Sequence, residues 1–255
     1  SYSDSDEARA DILGELAGLY LEIGKWQEVL GCYGRIVKLE PDNVRARIAR
    51  LRYFNIISDS GGKSWQEIES QASEAIELCQ EEGLMNSDVN QWHPLGLEDI
   101  PYEAKTLGGW LYFLKGRAMY ETARSGAITN RLEALNEAEG ILEKVIELEE
   151  DNVEAYWYLS RAKVIKGSIM ASRGRLDEKS KSVQAAVELL RNSLEHTGEY
   201  PQGHINLLRA KLESFSESAG DSLAELEADY NELVEKFPKE GDVYAARARY
   251  YSMRG

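Results

Sequence analysis

The chain has 255 residues, only five of them proline, and aliphatic and aromatic residues are plentiful. This balance favours long helices over sheets or disorder. The 45 acidic residues against 30 basic residues give a formal charge of −15, which repels the phosphates of nucleic acids and anionic lipid surfaces. The composition therefore predicts a folded, mainly helical protein without a nucleic-acid partner.

The pattern of residues 8–42 is the clearest in the sequence. Apolar residues recur there at helical spacing along two segments, namely Leu13, Leu16, Ala17 and Tyr20, then Val29, Tyr33 and Ile36. Gly24 opens a turn between the two segments, and Pro41 ends the second. This pattern resembles the tetratricopeptide repeat, in which about 34 residues form two antiparallel helices with large and small residues at fixed points.

Part of this repeat returns later in the chain. Residues 36–46, which end one predicted helix and begin the next, are paralleled by residues 145–155. Both segments contain an Asp-Asn pair, Asp42-Asn43 and Asp151-Asn152, which suits the cap at the start of a helix. Internal duplication is the simplest explanation of this similarity.

The duplication extends the resemblance over nearly the whole chain. It predicts one domain over residues 1–255, with repeats at 8–42, 43–82, 103–150, 151–198 and 201–238 and a terminal helix at 241–254. The resemblance implies an all-α fold, a right-handed α-solenoid of about five stacked antiparallel helix pairs plus a C-terminal helix. Since the sequence lacks an initiator methionine and ends inside a predicted helix, we expect it to be part of a longer protein.

A long segment at residues 83–101 interrupts the repeats. It contains the apolar residues Trp92, Leu95, Leu97 and Ile100. A segment of this length either packs back onto the helices or contributes to a partner site. Because exposed apolar groups of that size are costly, packing is the favoured interpretation.

Motifs for catalysis and for cofactors are weak or missing. Residues 61–64, Gly-Gly-Lys-Ser, resemble the end of a phosphate-binding loop, but the earlier glycine is absent and Ser64 suits a helix cap. Cys32 and Cys79 are too few for a disulfide framework, and the histidines lack the spacing of metal ligands. We therefore predict no enzyme, no catalytic residue, no metal and no cofactor, an expectation that a pocket holding His93 beside carboxylates would challenge.

An arginine follows the small landmark residue of the first helix in five of six aligned repeats. These arginines are Arg52, Arg117, Arg161, Arg209 and Arg249. In proteins that this chain resembles, first helices line a concave groove, so the resemblance implies a ladder of arginines facing into it. The ladder suits the carboxylates of an acidic peptide. Alternatively, each arginine pairs with a glutamate of the neighbouring repeat, an interpretation that the many acidic residues favour.

Aromatic residues near the same face are candidate anchors for a peptide side chain, because aromatics and arginine often dominate interfaces. The candidates are Trp110, Phe113, Tyr120 and Trp157, although some of them are expected to belong to the core. Trp26 and Trp65 occupy equivalent points of second helices, where the helical period predicts packing between helices.

The function predicted from these features is a protein–protein interaction scaffold that binds an extended, acidic segment of a partner. The alternatives are a self-assembling structural repeat, through the glycine-rich first repeat or the last helix, and an accessory domain of a larger protein. No segment has the roughly 20 apolar residues of a membrane span. A cytoplasmic or nuclear compartment is therefore favoured, with any targeting signal outside this sequence.

Overall fold

The computed structural model describes residues 2–59, 64–98, 103–126, 128–197, 200–214 and 220–254. Over these ranges the chain forms eleven α-helices and one 3₁₀ helix. The α-helices are α1 (Tyr2–Glu22), α2 (Trp26–Leu39), α3 (Val44–Asp59), α4 (Trp65–Glu81), α5 (Leu107–Ser125), α6 (Arg131–Leu148), α7 (Val153–Ser172), α8 (Leu176–Thr197), α9 (Pro201–Ser214), α10 (Gly220–Lys236) and α11 (Gly241–Arg254). The all-α fold of paired helices predicted from the sequence is confirmed.

The helix boundaries follow the sequence signals closely, with differences at the starts of α1, which begins at Tyr2 instead of near residue 8, and of α5. The sequence predicts a start near residue 103, whereas the helix begins at Leu107. The Oγ1 of Thr106 accepts a hydrogen bond from the amide of Gly109 at 3.0 Å, and this capping bond fixes the later start. Ser64 caps α4 as predicted, because its Oγ accepts from the amide of Glu67 at 3.2 Å.

The duplicated Asp-Asn pairs form the same joint between helices at both places. The Oδ1 of Asn43 accepts from the amide of Ala46 at 2.9 Å, and the Oδ1 of Asn152 accepts from the amide of Ala155 at 2.9 Å. In each joint the asparagine Nδ2 donates to the glutamate three residues earlier, over 2.7 Å to Glu40 and 3.2 Å to Glu149. Each asparagine therefore caps the new helix and ties it to the end of the previous one.

The helices group into two compact units, residues 1–122 and residues 123–255. The first unit contains α1 to α4 and most of α5, and the second contains α6 to α11. The prediction of one domain over residues 1–255 stays a prediction.

In the first unit the interrupting segment packs back onto the helices. Leu97 is 1 % exposed and belongs to the same core as Ala17 and Val29. Gly96 has a φ of +75° and lies so close to α1 that a Cβ there would stand 2.5 Å from the Cδ2 of Leu21, which explains a glycine at this position. Leu97 therefore packs as predicted and Trp92 is partly buried, whereas Leu95 is 57 % exposed and Ile100 lies outside the described residues.

In the second unit the first helices of successive hairpins lie next to one another. α9 contacts both α7 and α11. The core behind α9 and α11 is formed by buried residues of α9, α10 and α11, among them Leu208, Tyr230 and Tyr250. Side chains of α7, α9 and α11 can therefore meet on one face of this unit. In the described part of the chain, no helix has the length and apolar character required to cross a membrane.

Candidate functional site

The second unit contains a cavity of about 210 Å³ at the face where α7, α9 and α11 meet. Three arginines line it, Arg161 from α7, Arg209 from α9 and Arg249 from α11. Arg161 and Arg209 are partly buried, and Arg249 is the most exposed of the three. Three of the five arginines selected from the sequence thus come together, one from each first helix.

The walls of this cavity, called the arginine cavity below, are largely apolar and aromatic. Trp157 of α7, Leu190 of α8, Tyr230 of α10 and Tyr250 of α11 all contribute to its lining. The rings of Tyr230 and Tyr250 stack on each other with centroids 5.0 Å apart. No acidic residue lines the cavity among the described residues. The arrangement suits a ligand that carries negative charge at one end and an apolar surface beside it.

The positive charges of the cavity act on one another. Burial lowers the pKa of the Arg209 guanidinium, and the positive charges of Arg249 and Arg161 lower this pKa further. Tyr230 and Asp242 act in the opposite direction. The positive charges of Arg161 and Arg249 therefore repel that of Arg209 in the folded protein, and a bound anion relieves that repulsion.

Neighbouring cations on the same helices are paired with acidic residues, unlike two of the cavity arginines. Lys166 lies 3.1 Å from Glu139, and Lys211 lies 2.6 Å from Asp229. Arg209 and Arg249, in contrast, form no ion pair within the ranges that the structure describes. Pairing with neighbouring carboxylates therefore describes the lysines better than these two arginines.

Arg52 and Arg117, the other two members of the predicted ladder, belong to the first unit. Arg52 is 1 % exposed, lies 3.3 Å from Glu103 and is placed over the ring of Trp110 at 5.9 Å. The prediction of Arg52 as a partner-binding residue is corrected by this burial, and its role is structural. Arg117 lies over the ring of Trp65 at 5.3 Å, and its contact with a partner stays a prediction.

Three of the four predicted aromatic anchors are core residues instead. Trp110, Phe113 and Tyr120 are 0 %, 1 % and 2 % exposed, all on α5. They cannot reach a partner, so their prediction as binding residues is corrected. Trp157 differs, since it is only partly buried and lines the arginine cavity.

Two aromatic residues of the cavity were not selected from the sequence. Tyr230 and Tyr250 each lie on the apolar face of a helix, and their spacing in the sequence is that of ordinary core residues.

Trp26 was expected to pack between helices, but the structure leaves it exposed. Its ring centroid is 6.0 Å from that of Tyr53, yet the side chain is 40 % exposed.

A second cavity, of about 550 Å³, lies in the first unit between α1 and the interrupting segment. Its lining includes His93 and the carboxylates of Asp11, Glu15 and Glu40. The ring Nε2 of His93 lies 3.3 Å from the Oδ1 of Asn90. Within the described ranges no group of three histidine, cysteine, aspartate or glutamate residues is placed to hold a metal ion. Because this lining places His93 beside carboxylates, the arrangement that challenges the expectation of no enzyme, the absence of catalytic residues stays a prediction.

The helix pairs, their joints and the adjacent first helices define a helical-repeat protein with the tetratricopeptide-repeat fold, as the sequence predicted. Residues 41 to the end of MamA from Desulfovibrio magneticus RS-1 are similar in structure, with a TM-score of 0.56 at 11 % identity, covering 91 % of this chain and 97 % of that one. A double mutant of RS-1 MamA gives a TM-score of 0.56 at 12 % identity, covering 91 % and 98 %.

YrrB, described as a TPR protein with an unusual peptide-binding site, gives a TM-score of 0.53 at 12 % identity, covering 97 % of this chain and 98 % of that one. No protein-family model and no curated protein matches the sequence. At these identities the likeness establishes the fold of the chain.

Proposed function

We propose that the protein is an interaction scaffold and that the second unit binds an extended, acidic segment of a partner protein through the arginine cavity. The observation that carries this proposal is the meeting of Arg161, Arg209 and Arg249, one from each of three adjacent helices, in a cavity that no acidic residue of the described ranges lines. The peptide-binding site described for YrrB, which has the same fold, adds support.

An acidic segment can bind to this acidic protein because the charge inside the arginine cavity is positive although the charge of the whole chain is negative. The chain has a formal charge of −15, but exposed charges farther apart than about 8 Å are largely screened at physiological salt. Inside the cavity three guanidinium groups act at short range, and Arg209 is partly buried there. Carboxylates that enter it make charge-assisted, bidentate hydrogen bonds, which are about twice as strong as neutral ones.

The test is binding of a fluorescent peptide rich in aspartate and glutamate, measured by polarisation. The Arg209→Glu variant should bind at least about 30-fold more weakly than wild type, since loss of one partner of a buried charge pair costs about 2–5 kcal/mol. The matched control is Arg191→Glu, which makes the same charge change at an exposed residue of α8 outside the cavity lining.

Two further results check the specificity of this binding. A peptide of the same length with asparagine and glutamine in place of the acids should bind weakly to all three proteins. Equal affinity of wild type and Arg209→Glu for the acidic peptide, or an equal loss in Arg191→Glu, would contradict the proposal.

Self-association is the second candidate, and an exposed apolar stripe on α1 favours it. Ile12 and Leu19 share one face of that helix, Ile23 directly follows its last residue, and the three are 63 %, 58 % and 64 % exposed. A second copy could cover this stripe. In sedimentation experiments a concentration-dependent dimer that Leu19→Ser abolishes would support this candidate, whereas a monomer at every concentration would remove it.

A further inference from the structure

We propose that the arginine cavity is selective for a phosphate monoester, carried on a phosphorylated side chain of the partner, over a carboxylate. This inference rests on the proposed function, because it specifies which acidic group the cavity receives. It follows from the charge of the cavity, from the number of its guanidinium groups and from the character of its walls.

The charge of the cavity favours a ligand group with more than one negative charge. Arg161, Arg209 and Arg249 line the cavity, and no acidic residue among those that the structure describes lines it. A carboxylate carries one negative charge, whereas a phosphate monoester carries a charge of about −1.5 to −2 near neutral pH. The phosphate therefore relieves more of the repulsion among the arginines.

The number of acceptor oxygens also favours a phosphate monoester over a carboxylate. A guanidinium has five N–H donors in a planar fork and no acceptor. A carboxylate offers two oxygens and can be held by two arginines, so that the third keeps its charge uncompensated. A phosphate monoester offers three terminal oxygens. The three arginines come from three helices, α7, α9 and α11, and can each meet one oxygen.

The size and the walls of the cavity suit a phosphate that is attached to an organic group. Its volume of about 210 Å³ is many times the about 10–15 Å³ that a single water molecule needs. A phosphate and the first atoms that link it to a chain fit this space. Trp157, Leu190 and the stacked pair of Tyr230 and Tyr250 provide apolar contact for those linking atoms.

The experiment compares four small anions by calorimetry with the full chain: phenyl phosphate, phenyl sulfate, benzoate and inorganic phosphate. Near pH 7.5 phenyl phosphate should bind at least about 10-fold more tightly than phenyl sulfate, which has the same ring and oxygens but one charge. Its affinity should exceed that of benzoate by a similar factor. Its affinity should also exceed that of inorganic phosphate, because only the organic probe contacts the aromatic walls.

The pH dependence provides a separate signature of the dianion. The second pKa of a phosphate monoester is about 6, so its affinity should fall by about 10-fold between about pH 7.5 and pH 5, while that of phenyl sulfate stays constant. The charged and titratable groups near the bound anion are Arg161 on α7, Arg209 on α9, Tyr230 on α10, and Asp242, Arg249 and Tyr250 on α11. Burial raises the pKa of Tyr230, so this tyrosine stays neutral over the pH range of the experiment.

Variants distinguish binding inside the arginine cavity from a general attraction of the anions to positively charged residues on the surface. Arg209→Gln should lose the preference for phenyl phosphate, and the exposed Arg191→Gln on α8 should keep it. Equal affinity for inorganic and phenyl phosphate would overturn the assignment to a side chain. Binding of the acidic peptide without any preference for phenyl phosphate would overturn this inference and leave the proposed function standing. Failure of the acidic peptide and all four anions to bind would overturn both.

Discussion

Replacing Trp110 by alanine is expected to lower the free energy of unfolding of the first unit by about 3–5 kcal/mol, the usual cost of removing a fully buried tryptophan. Trp110 is 0 % exposed. Its ring also lies under the guanidinium of Arg52 at 5.9 Å, so the substitution removes the surface on which that arginine rests. Urea denaturation followed by far-UV circular dichroism measures the change.

Trp26→Ala is the matched control for this prediction, because the same residue type is removed from the same unit. Trp26 is 40 % exposed, so the loss of stability should be about 1 kcal/mol or less. If the two variants unfold at the same urea concentration, Trp110 does not have the core role that its burial implies, and its interpretation as a partner anchor returns.

Alanine at Arg52 and at Arg209 should have different effects on stability although the sequence gives the two arginines the same position in their repeats. Arg52 is 1 % exposed and lies beside Glu103, and its removal leaves a cavity and breaks the ion pair. We expect a loss of about 3 kcal/mol, at the low end for a buried pair because the Glu103 side chain is 27 % exposed and can be hydrated.

Arg209→Ala should leave the stability of the second unit within about 0.5 kcal/mol of wild type, or above it. The substitution widens a cavity that already exists and removes one of three charges that repel each other, a cost that functional sites often carry. Thermal unfolding of both variants measures the contrast. A loss at Arg209 as large as that at Arg52 would show that Arg209 is structural.

The sequence predicted most of the helix pairs because their signals are local. Glycine at turns, asparagine and serine at caps and proline after α2 act within a few residues of their position. The joint at Asn152, for example, connects Glu149 to Ala155, six residues further along the chain. Local chemistry of this kind can be read from sequence alone, and so the predicted repeat at 151–198 agrees closely with α7 and α8, which together span 153–197.

The candidate site was predicted in part, and the errors have a common cause. α5 is apolar around most of its circumference, with Trp110, Leu111, Tyr112, Phe113 and Leu114 all buried in succession. Such a helix has no polar face that distinguishes an inward from an outward residue. The burial of Arg52 depends on Glu103 and Trp110, which are more than 50 positions away, and periodicity carries no information about contacts of that range.

The identical joints at Asn43 and Asn152 have a consequence for the history of the chain. In each joint the asparagine side chain connects the preceding glutamate to the first turn of the next helix. A gene segment that begins and ends at such a joint therefore encodes helices together with the hydrogen bonds that attach them to their neighbours. Helix pairs can then be copied or deleted whole without redesign of the rest.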